Sequence, residues 1–174
     1  MEFQLEQALE ILGRTPATLR TLLEGLSDTW TRNNAGADTW SPHNVVGHLI
    51  HGEETDWISR ARIILEHGES RPFDPVDRFA HLERFRNQPL DQLLDRFEQL
   101  RRQNLTTLQN LNITAEQLER RGTHPALGIV TLRQLLATWV AHDLNHIGQV
   151  VEVMSKRYAE AVGSWKAFLP VLSR

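Results

Sequence analysis

Apolar residues in this chain recur every three or four positions over four long stretches and hardly ever alternate, a period that suits helices and not strands. The first stretch runs from about Phe3 to Leu26 through Leu5, Ala8, Leu9, Leu12, Leu19, Leu22 and Leu23, with Thr15-Pro16 as the place where it would break or kink. The second begins at Ser41-Pro42: the serine oxygen can accept from an early backbone N–H, and proline at the first helical position loses no bond. It continues through Val45, His48, Leu49, Trp57, Ile58, Ala61, Ile64 and Leu65 to a stop near Gly68, roughly 26 residues or about 40 Å of helix. The third runs from about Leu90 to Leu111, with Asp91 favourably negative near its start. The fourth runs from Thr131, with Gln134 at capping-box distance, to about Arg157.

The connections are unequal. Asp28 to Asp38 reads as a loop by its turn residues, and Glu69 to Pro89 as a long loop with a short helical turn around Arg78 to Phe85. Thr114 and Gln117 have capping-box spacing for a short helix ending by Gly122, and His124 to Val130 reads as an irregular turn. Ala159 to Arg174 is a last helix or a packed strap. The expected architecture is all-α, a four-helix bundle with short additional helices in the connections, and residues 1–174 as a single domain.

Composition narrows the function classes. A net charge of -3 with acids and bases interspersed offers no basic field for phosphates, so nucleic acid is not an expected partner. The absence of cysteine excludes a disulfide framework, a thiolate metal site and a cysteine nucleophile in this chain. No stretch approaches the roughly 18 continuous apolar residues of a membrane span, and the N-terminus lacks the pattern of a signal peptide. The chain therefore reads as cytoplasmic, with no membrane partner.

The chemistry centres on His142-Asp143-Leu144-Asn145-His146. Histidines four apart on a helix project from one face and can offer two ligands to one metal, and here they continue the apolar side marked by Leu132, Leu135, Leu136, Trp139, Val150 and Val153. His48, on the inward stripe with Val45, Leu49 and Gly52, is the expected third ligand; His51 lies on the flank. Three neutral imidazoles suit Zn(II), Ni(II) or Fe(II) and leave positions open for water or substrate. Asp143 stands where a zincin protease has its glutamate base, but is one methylene shorter, and no third-ligand signature follows. An HD-type phosphohydrolase would need a later aspartate, and none follows Asp143. Asp143 is expected to orient a ligand or contact the backbone, and Gln149 to sit beside His146. Trp57 and Trp139 read first as core residues that could also wall a pocket. His43, His67 and His81 read as solvated or capping, His124 as a weak pocket candidate, and Glu53, Glu54 and Asp56 as a charged face from which one could support His48.

Three segments together resemble the DinB/YfiT-like superfamily: Trp40-Ser41-Pro42-His43-Asn44-Val45-Val46-Gly47-His48-Leu49, the approach from Leu127 to Leu136, and His142-Asp143-Leu144-Asn145-His146-Ile147-Gly148-Gln149. The resemblance implies a four-helix bundle, often a homodimer, with His48, His142 and His146 holding a divalent metal in an open site. It also implies a thiol-dependent S-transferase or related activity, with a low-molecular-weight thiol and a small electrophile as partners, or a hydrolase that uses water. The alternative is a non-catalytic, stress-related metal-binding homodimer whose metal is structural. Gly52 departs from the acidic or small polar residue often found there.

Overall fold

The protein is described here by a computed structural model that covers residues 2–36 and 39–173; Ala37 and Asp38 of the first loop, and Arg174 of the tail, lie outside the described residues. The long elements are α1 (Leu5–Leu23), α3 (Pro42–Thr55) continued by α4 (Trp57–His67), α6 (Leu90–Asn110) and α8 (Leu132–Lys156). α1 and α3 each pack against both α6 and α8, which closes a four-helix bundle. The sequence-encoded starts are made as read. Ser41 Oγ accepts from Asn44 N–H at 3.2 Å with Pro42 in the first turn, and Thr131 and Gln134 exchange reciprocal capping bonds at the head of α8.

Short elements fill the connections. The Asp28–Asp38 region, expected to be all loop, contains a one-turn helix α2 (Asp28–Thr31), closed by the Arg32 N–H donating to the Asp28 carbonyl at 2.9 Å. The turn expected near Arg78–Phe85 is α5 (Ala80–Arg84), and the Thr114 capping box starts α7 (Ala115–Leu118). His124–Val130 is more ordered than its composition indicates. Strands β1 (Arg121–His124) and β2 (Gly128–Thr131) pair antiparallel, with His124 opposite Gly128, and Pro72 bridges to Thr123. Gly122 is required there, because a Cβ would lie 2.6 Å from Ile64 Cγ1. The expected single second helix is interrupted at Asp56, next to Thr55, whose hydroxyl donates back to the His51 carbonyl at 2.8 Å. The tail forms two 3₁₀ segments, Gly163–Phe168 and Pro170–Leu172, and buries only Leu172.

The core is in two parts. One, with Leu12, Trp57, Leu108, Leu136 and Trp139, lies toward the hairpin; the other, with Leu19, Val45, Leu49, Phe97 and Val150, lies toward α5. Between them α1, α3, α6 and α8 each contribute buried polar side chains: Thr15 on α1, Glu53 on α3, Arg101 on α6, and Asp143 with His146 on α8. Pro16 has no N–H to give the Leu12 carbonyl four residues back, and Arg101 Nη1 supplies that bond from α6 at 2.8 Å. The bundle thus carries a polar storey between two apolar ones, and the histidines belong to it.

Candidate metal centre

α3 and α8 bring His48, His142 and His146 together, with one ligand-capable atom from each within 4.8 Å of the others. His142 Nε2 stands 3.0 Å from His48 Nε2 and 3.2 Å from His146 Nε2. Nitrogens held about 2.0–2.1 Å from one ion, at tetrahedral to octahedral angles, would stand about 2.8–3.4 Å apart. The observed spacings lie in that range.

Hydrogen bonding within the trio cannot satisfy it. His146 Nδ1 is 2.8 Å from Gln149 Oε1, which accepts and therefore fixes the proton on Nδ1, leaving Nε2 with a bare lone pair. His142 Nε2 faces two nitrogens and has one proton at most. The Nδ1 atoms of His48 and His142 are buried without a hydrogen-bond partner among the described residues. Burial and the neighbouring imidazoles push His48 down to about 2, and burial, His146 and Arg101 push His142 down to about 3. His146 is also lowered, chiefly by burial. All three rings are neutral near pH 7, with lone pairs free to converge on one cation. The donor set and spacing fit a divalent ion.

The rings are held by aromatic contacts. Trp40 packs on His48 with centroids 4.7 Å apart and stacks on His146 at 6.1 Å, while Trp57 meets His142 edge-on at 5.1 Å. On one side the trio borders an open cleft of about 1210 Å³, lined also by Asn44, Arg78, Phe79 and Asn145. An open face with amides around it can admit a small molecule to the remaining coordination positions.

Directly below lies a saturated polar cluster. Arg101 uses all five donors: Nε and Nη2 to Glu53 Oε1 at 3.0 and 2.7 Å, Nη1 and Nη2 to Asp143 at 2.5 and 3.0 Å, and Nη1 to the Leu12 carbonyl. Glu53 also accepts from Trp139 Nε1 at 3.1 Å and from Asn104 Nδ2 at 3.0 Å. Burial raises the Glu53 pKa, opposed by Arg101 and Asn104; burial would lower that of Arg101, but the two carboxylates carry it upward.

A family model described as the DinB superfamily matches residues 11–150. The chain belongs to the DinB superfamily. Its fold is similar to that of YfiT from Bacillus subtilis, described as "a probable metal-dependent hydrolase with an unusual four-helix bundle topology", at 24% identity and a TM-score of 0.75, covering 87% of this chain and 86% of that one. At that identity the likeness shows the fold alone. A comparison with curated proteins finds no match.

In this DinB-superfamily chain the three histidines singled out by spacing come together, and His51, though buried, stays outside the group. Gln149 sits on His146, with Oε1 2.8 Å from its Nδ1. Asp143 turns away from the histidine nitrogens and gives both oxygens to Arg101. Trp57 and Trp139 stack at 5.5 Å in the core and do not line the cleft; Trp40 takes that place. Three expectations are corrected. His43 and His81 are buried, not solvated: His43 Nε2 lies 2.8 Å from the Gln88 carbonyl, and His81 packs on Trp40 and His48 because α5 folds over that side. His124 does not line the cleft; its Nδ1 accepts from the Ala126 and Leu127 N–H groups within the hairpin turn. Glu53 is not on a charged face. Its signal was its place one turn after Leu49 on the inward stripe, as Arg101 follows Phe97 on that of α6.

Proposed function

We propose that this protein is a metal-dependent enzyme in which His48, His142 and His146 hold one divalent cation, Zn(II), Ni(II) or Fe(II), beside an open cleft where a low-molecular-weight thiol, or water, attacks a small electrophile. The observation that carries this reading is the convergence of three neutral imidazole nitrogens, none fully satisfied within the trio, at the wall of a cleft of about 1210 Å³. A structural site is closed by four protein ligands, whereas here no fourth histidine, cysteine or carboxylate joins the group among the described residues. That favours catalysis over a metal that only clamps α3 to α8. A cation held there supplies Lewis acidity, lowering the pKa of a thiol or water ligand toward neutrality.

The chain's own residues bind, orient and select. Gln149 keeps the His146 proton on Nδ1, Trp40 walls the trio, and Asn44 and Asn145 offer amide donors and acceptors to a substrate. With no cysteine present, any thiol comes from outside. The same reading takes residues 1–174 as one domain and the protein as a cytoplasmic homodimer. Leu144 and Val151, exposed and seven residues apart on α8, supply an apolar face that supports packing of a second copy, and no helix among the described residues is long and apolar enough to cross a membrane.

The test is metal analysis of the purified protein, followed by conjugation of monochlorobimane with a panel of small thiols and by hydrolase substrates. Stoichiometric metal with thiol- or water-dependent turnover is expected, lost on chelation and restored by metal. A metal-loaded protein inert toward every thiol and hydrolase substrate would return the metal to a structural role.

A further inference from the structure

The saturated cluster under the histidines does more geometrically than join helices. Glu53 Oε1 accepts from Trp139 Nε1 at 3.1 Å; Trp139 stacks on Trp57 with centroids 5.5 Å apart and planes 7° from parallel; the Trp57 ring meets His142 edge-on at 5.1 Å. Gly52 leaves room beside this ring: a Cβ there would lie 3.3 Å from Trp57 Nε1, and the indole would have to give by a few tenths of an ångström. This is a continuous run of close contacts from a buried carboxylate to the imidazole that touches both others. The His142 Nδ1 has no hydrogen-bond partner of its own among the described residues, so the orientation of that ring rests on such packing. Charge adds to this. Arg101, Glu53 and Asp143 are essentially solvent-free and, with one positive and two negative groups, leave one excess negative charge beneath three neutral rings.

We propose that Glu53 is a positioning residue for the three-histidine centre, acting on His142 through Trp139 and Trp57 and supplying, with Asp143, the buried counter-charge that favours a divalent cation. The inference rests on the metal-binding reading above. It assigns Glu53 no contact with substrate or ion. Its effect is on how tightly and in what geometry the cation is held, as partners of metal ligands commonly alter affinity by about 10- to 100-fold.

The experiment is Co(II) titration of the metal-free protein, followed by visible absorption for affinity and ligand geometry and by far-ultraviolet circular dichroism for fold. Glu53→Gln keeps the shape of the side chain and removes its charge; Trp139→Phe keeps an aromatic ring against Trp57 and removes the N–H that binds Glu53. Glu54→Gln is the control, since Glu54 pairs outward with Arg84 and Arg96. Glu53→Gln should bind Co(II) at least about tenfold more weakly, with an altered band envelope and unchanged helicity. Trp139→Phe should shift the bands in the same sense with a smaller loss, and Glu54→Gln should match the parent. Parent-like affinity and spectrum in folded Glu53→Gln would overturn the proposal. Should Glu53→Gln fail to fold, parent-like binding by Trp139→Phe would overturn it. A parent protein that binds no Co(II) would instead remove the metal-binding reading itself.

Discussion

Two polar clusters lie one beneath the other in this bundle and both draw on α3 and α8, yet they are finished differently. Around Arg101 each of five donors has an acceptor, and the acceptors come from α1, α3 and α8. Around His142 three nitrogens crowd to 3.0 and 3.2 Å with too few protons to bond one another, and two further ring nitrogens have no hydrogen-bond partner among the described residues. Burial without partners is costly, and proteins mostly avoid it. A chain that satisfies one cluster completely and leaves its neighbour incomplete has separated the part that holds the fold from the part reserved for something from outside.

The largest expected contrast is in metal content. Single His48→Ala, His142→Ala and His146→Ala variants should lose nearly all bound metal by elemental analysis, while His43→Ala, His51→Ala and His67→Ala should retain it. Full occupancy in the His48 variant would break the distinction drawn here. In the saturated cluster the cost should appear as stability instead. Arg101→Met leaves two carboxylates buried without their counter-ion and should cost about 3–5 kcal/mol in urea unfolding of the metal-free protein. A loss below about 1 kcal/mol would mean that solvent already reaches the cluster.

Acid should act first on the unfinished cluster. Burial and the neighbouring charges push His48 and His142 down to about 2 and about 3 in the folded protein, against 6.5 for a free histidine, so between those limits the unfolded chain binds more protons. Stability of the metal-free protein should therefore be full above about pH 6.5 and fall as pH drops toward 3, and His142→Asn should flatten that slope in thermal unfolding. A flat profile in the parent from pH 7 to 4 would contradict the burial of these rings. The smallest effect is expected at Gln149. Gln149→Leu removes the acceptor that fixes the His146 tautomer and should weaken metal binding about tenfold, with stability changed by less than about 1 kcal/mol.

The histidine trio was legible because helical spacing is local. His142 and His146 are a turn apart, and His48 follows Val45 on a stripe whose start is fixed by Ser41-Pro42. The cluster beneath was not read, although Arg101 lies in register with Leu94, Phe97 and Leu108, because α6 is rich in arginine and a single basic residue on it looks solvated. Its burial depends on three other helices bringing carboxylates and a carbonyl to the same point, which no one segment encodes. The hairpin escaped for a related reason. Four-residue strands are too short to display alternation, and pairing across Pro125 to Leu127 is a property of chain closure. The interruption at Asp56 was hidden because apolar spacing continues through it into Ile58 and Ala61.

Pro16 and Arg101 make a dependent pair. The proline leaves the Leu12 carbonyl without its helical donor, and the arginine meets it from another helix. With Pro16 in place, loss of Arg101 strands a carbonyl as well as two carboxylates; with alanine at 16, the helix could serve its own carbonyl and the same loss would be milder. A proline at position 16 therefore costs less while Arg101 is present, and its presence raises the cost of losing the arginine. Two distant positions are coupled through one hydrogen bond, and a double-mutant cycle of Pro16→Ala with Arg101→Met would read that coupling.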